Sequence, residues 1–265
     1  MLTFPILILC GVLTVFSRAV SYESSPWVAL SFGFLPILLS TGVLLALGVL
    51  LAKIHSSETR GLSLDLKKIL TGSSELLAST SYLSVPSILT YLCLWIFLGF
   101  FFLLKEIPFI GDFFSVVLSF GPFLLLFGSL LLCVFNLGLL FFVAPAAALQ
   151  SYRNVSLAKR VLETLKTRAL SSLLLLFLAL IPLGIVAGLL TTAAIFTNLS
   201  FSVAAKSLTV ALEWFFIMVP FALILTPAVV FFFNFAAESY LLLQMGLTET
   251  PKAPFPAGKR EEAKS

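Results

Sequence analysis

Six apolar stretches dominate the chain and limit what it can fold into. They cover residues 2–17, 27–52, 82–104, 122–149, 169–197 and 220–245. An α-helix needs about 20 apolar residues to cross the roughly 30 Å hydrocarbon core of a bilayer, and all but the first stretch exceed that length. Helices and closed barrels are the structures that satisfy their backbone hydrogen bonds in lipid. The sequence therefore predicts an all-α, polytopic transmembrane helix bundle of about six spans.

The composition also indicates a membrane protein. The 265 residues are 60% hydrophobic and 11% charged, whereas a soluble domain is roughly 45–50% apolar and about 25% charged. The formal net charge is +4. We assign it to basic loops facing anionic lipid, because no basic stripe is interleaved with aromatic residues as nucleic-acid binding would require. The composition therefore predicts that membrane lipids are the partners and that the protein does not bind nucleic acid.

The sequence carries no familiar catalytic or metal-binding motif. Cys10, Cys93 and Cys133 lie in apolar runs without a CxxC pair, and His55 stands alone in what we predict to be a solvated polar loop. The GxSxG, HExxH, P-loop and GxGxxG patterns are also missing. We therefore expect a protein that is not an enzyme and holds no cofactor or metal. A membrane enzyme with dispersed catalytic residues stays open.

Basic residues predict the orientation of the chain. Of the 16 Lys and Arg, 13 fall in the loops 53–81 and 150–168 and in the C-terminal tail. Basic loops stay in the cytoplasm, so both termini are predicted to be cytoplasmic. The first stretch has two interpretations, an uncleaved span or a signal peptide cleaved near residues 19–21. We favour the span, because no Lys or Arg precedes it and Arg18 lies where a cleavage region is normally neutral.

Two cytoplasmic loops have the pattern of basic amphipathic helices. Residues 62–77 and 156–168 place apolar side chains on one helical face and basic ones on the other. Such helices lie on the inner leaflet, and the alternative is an ordinary helix in a soluble loop. The residues predicted to contact anionic lipid are Lys67, Lys68, Lys159, Arg160, Lys166 and Arg168.

Residues 62–149 and residues 155–245 resemble each other in sequence. A shift of 98 residues places Pro122 on Pro220 and Asn136 on Asn234. Since proline suits a first helical turn, each long apolar run is expected to break at its proline. This predicts a parallel internal repeat of units 62–149 and 155–245, after an N-terminal hairpin, 1–52, and before a disordered cytoplasmic tail, 246–265. Chance similarity between Leu- and Phe-rich segments is the alternative.

A wider resemblance rests on short motifs. Residues 107–111 (Ile-Pro-Phe-Ile-Gly) precede a long apolar run, and residues 145–148 (Pro-Ala-Ala-Ala) precede the second basic helix. Over about residues 62–197 this order resembles several bacterial inner-membrane families known chiefly as domains of unknown function. The resemblance implies a bacterial cytoplasmic-membrane protein of this architecture and carries over no functional residues.

Three polar residues inside the predicted spans form a candidate membrane site. Asn136 and Asn234 each lie 14 residues after their proline, and Glu238 follows Asn234 by one turn on the same face. The simpler interpretation is a pair of interhelical hydrogen bonds worth roughly 0.6–2 kcal/mol. The alternative is a polar site at the repeat interface, where transporters often bind substrate and where intramembrane acids often mark ion paths.

A small-residue stripe runs along the fifth span. Gly184 and Gly188 form a GxxxG pattern, and Thr192 follows four residues later. Small residues let transmembrane helices approach closely. We expect this stripe to pack within the chain, and contact with a second copy or another membrane protein is the alternative.

Two functions are compatible with these features. The first is a non-catalytic integral membrane protein that organises lipid or a membrane partner complex. The second is a small permease that uses the polar residues at the repeat interface. A water-accessible cavity at the two asparagines would favour the permease, and a dry, close-packed bundle there would favour the first function.

Overall fold

The fold is all-helical over the residues that the structure describes. The computed structural model describes residues 2–21, 26–59, 61, 78, 80–105, 120–149, 169–201 and 207–248. Of these residues 98% are helical and none forms a strand. The helices are α1 (Thr3–Ser21), α2 (Pro26–Thr59), α3 (Val85–Lys105, preceded by a 3-10 turn at Tyr82–Ser84), α4 (Gly121–Leu149), α5 (Ala169–Phe201) and α6 (Ser207–Thr248).

The apolar segments of these helices match the lengths that a bilayer requires. Among the described residues, five segments are long and apolar enough to cross it: Thr3–Ser21, Ser31–Thr59, Phe123–Leu149, Leu170–Thr197 and Leu212–Leu243. A sixth, Tyr82–Phe97, is apolar but shorter. The predicted class, a polytopic membrane protein made of helices, is confirmed.

Helices α2 and α6 lie at the centre of the bundle. Helix α2 packs against α1, α3, α4 and α6, and α6 packs against α1, α2, α4 and α5. Helices α3 and α5 lie at the periphery, and only 11% of the α5 span is buried. Most of α5 therefore presents apolar side chains outward, as a helix in contact with lipid does.

The tightest packing occurs where α2, α4 and α6 meet. A Cβ added at Gly48 would overlap the Phe233 ring and lie 2.8 Å from Ala144 Cβ. Next to this contact, the Phe141 ring centroid lies 5.8 Å from that of Phe232. Small residues thus bring three backbones together, while aromatic rings fill the remaining space.

Proline does not interrupt α6. The helix runs for 42 residues through Pro220 and Pro227, about 63 Å at 1.5 Å per residue. The expected break at Pro220 is therefore wrong. Membrane helices tolerate internal proline because local adjustments and neighbouring groups satisfy the backbone carbonyl that loses its donor. In contrast, Pro122 is the second residue of α4, in the first turn as expected.

Helix α1 is a full member of the bundle. Leu7 and Cys10 are buried, and the Ser17 hydroxyl donates a hydrogen bond to the Phe32 carbonyl of α2. This packing supports the interpretation of residues 2–17 as an uncleaved span.

Several predictions concern residues outside the described ranges. These include both amphipathic helices, 62–77 and 156–168, the tail beyond residue 248, and the anionic-lipid contacts Lys67, Lys68, Lys159, Arg160, Lys166 and Arg168. The internal repeat, which depends on these segments, stays a prediction.

Candidate functional site

Asn136 lies inside the bundle, at the contact between α3 and α4. Its side chain is 3% exposed. Ser87 Oγ of α3 lies 2.9 Å from Asn136 Oδ1 and 3.1 Å from the Ser84 carbonyl oxygen. The prediction that Asn136 faces another helix and not lipid is confirmed.

The hydrogen bond between Asn136 and Ser87 can run in either of two directions, depending on the orientation of the Asn136 amide. Ser87 has one hydroxyl hydrogen, so it cannot donate fully to both acceptors, while Asn136 Nδ2 is buried with no hydrogen-bond partner among the described residues. Turning the amide by 180° lets Nδ2 donate to Ser87 Oγ, and Ser87 then donates to the Ser84 carbonyl. Amide orientation is assigned from such networks, and this one favours a structural bond between α3 and α4.

Glu238 and Asn234 lie away from that contact. Glu238 Oε1 lies 3.4 Å from His55 Nε2, with the side chains 66% and 21% exposed respectively. The description of His55 as a solvated loop residue is therefore wrong, because α2 continues to Thr59 and holds it against α6. Asn234 is half-buried one turn before Glu238. Glu238 is paired with a histidine near the end of α2, and no described hydrogen bond joins it to Asn136.

A cavity lies elsewhere, between α1 and α2 on one side and α5 and α6 on the other. Its volume is about 800 Å³, it is partly open, and most of its lining is apolar. Volumes of roughly 300–1,000 Å³ with a few polar groups are typical of small-molecule sites. The polar side chains that line it include Cys10, Thr14, Ser40 and Thr191.

Most hydroxyls at this cavity are satisfied by their own helices, but one is not. Thr14 Oγ1 donates to the Gly11 carbonyl and Thr191 Oγ1 to the Ala187 carbonyl. Ser40 Oγ is buried and has no hydrogen-bond partner of ordinary geometry among the described residues. The Cys10 thiol lies close to it, but a thiol is a weak hydrogen-bonding group. The cavity therefore contains one available hydroxyl in apolar surroundings.

A second cavity adjoins the first on the α5–α6 side. It has a volume of about 550 Å³ and shares Ala194, Ile217 and Phe221 with the first cavity. Glu213 is in its lining. Because α6 begins before Pro220, Glu213 falls within the Leu212–Leu243 span, as Glu238 does.

The glycine stripe of α5 does not pack within the described chain. Gly184, Gly188 and Thr192 are exposed, and a Cβ added at either glycine would meet nothing within 4 Å. Thr192 Oγ1 donates to the Gly188 carbonyl of its own helix. The expectation of packing within the chain is wrong over these residues. The described glycines at which an added Cβ would come within 3.0 Å of another residue are Gly11, Gly42 and Gly48.

Sequence reasoning missed the cavity. Its only signal was a face of α1 with small and polar residues, Cys10, Gly11 and Thr14. The same residue types also occur where helices simply pack together. Gly11 is itself closely packed, because an added Cβ would overlap the Met218 side chain.

Metal-binding groups and relatives give no further assignment. Within the described residues, no group of three or more His, Cys, Asp or Glu side chains could hold a metal ion. Comparison with protein-family models, curated proteins and solved structures finds no match for this chain.

Proposed function

We propose that the protein is a non-catalytic integral membrane protein that organises lipid, by holding lipid chains between α1, α2, α5 and α6. The observation that carries this proposal is the apolar cavity of about 800 Å³ between those helices. An apolar cavity disfavours water, which needs polar partners, and an empty one forfeits dispersion contacts along its walls. In a bilayer, hydrocarbon chains are the abundant material that fits.

A permease is the second candidate, and the polar residues support it less. Transport through the predicted site would require Asn136, Asn234 and Glu238 to share a wet path. Asn136 is instead enclosed beside Ser87, and Glu238 is paired with His55. None of the three lines either of the two cavities described above.

The proposal extends to location and partners. We place the protein in a bacterial cytoplasmic membrane with both termini in the cytoplasm, supported by the distribution of its 16 Lys and Arg residues. The basic segments 62–77 and 156–168 would bind anionic headgroups. A second copy is the proposed partner for the α5 stripe, since Gly184 and Gly188 leave open space beside the helix.

Filling the cavity tests the lipid proposal. Ala194 lies in the cavity lining on α5, so Ala194→Phe should occupy part of the space and displace lipid. Ala187→Phe, on the same helix but outside that lining, is the matched control. We expect mass spectrometry of the purified protein to show at least one lipid species lost from Ala194→Phe and kept by Ala187→Phe. Identical lipid profiles for both variants and the wild type would contradict the proposal.

A further inference from the structure

We propose that the cavity between α1, α2, α5 and α6 binds an uncharged long-chain lipid whose hydroxyl or carbonyl oxygen hydrogen-bonds to Ser40. This inference rests on the proposed lipid-holding function and names the chemistry of the occupant. Three features of the cavity carry it: an unpaired buried hydroxyl, uncharged walls, and the depth of that hydroxyl in the membrane.

The hydroxyl of Ser40 differs from most serine and threonine hydroxyls of the described bundle, and it lines the cavity. Serine and threonine in membrane helices usually donate to a carbonyl of the preceding turn, as Thr41 does to Ile37 and Ser129 to Leu125. Ser40 is 6% exposed and makes no such bond. A buried hydroxyl without a partner is unfavourable, so a ligand oxygen that pairs with it is selected over a plain hydrocarbon.

The walls of the cavity exclude a charged headgroup. None of the described residues that line it is Lys, Arg, His, Asp or Glu. The charged side chain nearby, Glu213 of the adjoining cavity, is an acid. An anionic group would therefore be desolvated without a counter-charge and repelled by Glu213, and the occupant is predicted to be uncharged.

The depth of Ser40 separates this class from ordinary phospholipids. Ser40 lies midway along the apolar stretch 27–52 of α2, and therefore near the middle of a roughly 30 Å core. Phospholipid headgroups stay at the interface, so only their hydrocarbon would reach Ser40. A long-chain alcohol or an isoprenoid with a hydroxyl or carbonyl group can bring an oxygen to this depth.

Fluorescence of Trp214, which lines the cavity, provides a direct readout. The chain has three tryptophans, and replacing Trp27 and Trp95 by Phe leaves Trp214 as the single reporter. Three brominated quenchers are titrated into the full-length protein in detergent: 9,10-dibromooctadecan-1-ol, 9,10-dibromooctadecane and dibrominated phosphatidylcholine. In this protein, half-maximal quenching of Trp214 should need an alcohol concentration about 2- to 10-fold lower than the hydrocarbon concentration, because one net hydrogen bond favours the alcohol.

Two serine variants test whether the preference for the alcohol comes from Ser40. Ser40→Ala should make the alcohol and the hydrocarbon equivalent while leaving quenching by the hydrocarbon unchanged, which also shows that the cavity is intact. Ser172→Ala is the control, because Ser172 Oγ is likewise buried without a partner among the described residues but lies outside the cavity lining. It should keep the preference for the alcohol.

The outcomes separate the two proposals. If Ala194→Phe weakens quenching by both chains but Ser40→Ala leaves the alcohol preference unchanged, the cavity holds lipid and the role of Ser40 is wrong. If phosphatidylcholine quenches Trp214 as well as the alcohol does, the proposed lipid class is wrong. If Ala194→Phe and Ala187→Phe respond to every quencher like the wild type, the lipid-holding function itself is overturned.

Discussion

At the scale of single residues, the described polar side chains that do not simply donate to their own helix fall into two kinds. One kind joins helices: the Tyr91 hydroxyl donates to the Ser31 carbonyl at 2.7 Å, and Asn136 meets Ser87 at 2.9 Å. The other kind, represented by Ser40, is buried without a partner among the described residues. In hydrocarbon, where no water replaces a missing bond, this difference separates structural contacts from a candidate ligand contact.

The Asn136–Ser87 contact should be measurable as a coupling. Ser87→Ala and Asn136→Leu should each lower the free energy of unfolding in detergent, because each removes the hydrogen bond between α3 and α4. Interhelical hydrogen bonds in membranes contribute about 0.6–2 kcal/mol, so the double mutant should cost less than the sum of the single mutants by about that amount. Denaturant titration of the four proteins gives the cycle. Additive effects would show that the two side chains do not interact.

At the scale of elements, two kinds of glycine are present and should respond oppositely to substitution. Gly48 is enclosed by α4 and α6, with Ala144 Cβ 2.8 Å from an added methyl, so Gly48→Ala should lower the free energy of unfolding by about 1–3 kcal/mol through overpacking. Gly184→Ala meets nothing within 4 Å and should change it little, or raise it by up to about 1 kcal/mol through helix propensity. Thermal unfolding in detergent compares them. Equal destabilisation would mean that the α5 stripe is packed after all.

The same two glycines show what the sequence could and could not predict. A GxxxG pattern is local and visible in one helix, whereas the close contact at Gly48 depends on Phe233 and Ala144, which are far away along the chain. Apolar length predicted the helices, because each span must satisfy its own backbone in lipid. The break at Pro220 was predicted wrongly, since proline is a weaker helix breaker in a bilayer than in water. The cavity depends on the relative placement of four helices, and the small and polar face of α1 is not specific enough to predict it.

At the scale of the whole molecule, rigid packing and open space are separated. The close-packed contact of α2, α4 and α6 contains Gly48 and the Phe141 ring cluster. The cavity lies further along the same two helices, lined by residues 37–44 of α2 and 214–225 of α6, where α1 and α5 complete its walls. If the cavity holds lipid as proposed, the lipid would contact α1 and α5 and leave the close-packed centre unchanged.

The proposed orientation of the chain rests on its basic residues and can be tested directly. Thirteen of the 16 Lys and Arg lie in the segments 53–81 and 150–168 and in the C-terminal tail, and positive charge is retained in the cytoplasm. A reporter fused after Ser265 should therefore read as cytoplasmic, and one inserted within residues 105–112 as external. Reversed signals would overturn the orientation. If α1 did not cross the membrane, the N-terminus would be labelled by a reagent applied from outside while the reporter signals stayed the same. Because α1 packs against both α2 and α6, we expect the N-terminus to be protected from that reagent.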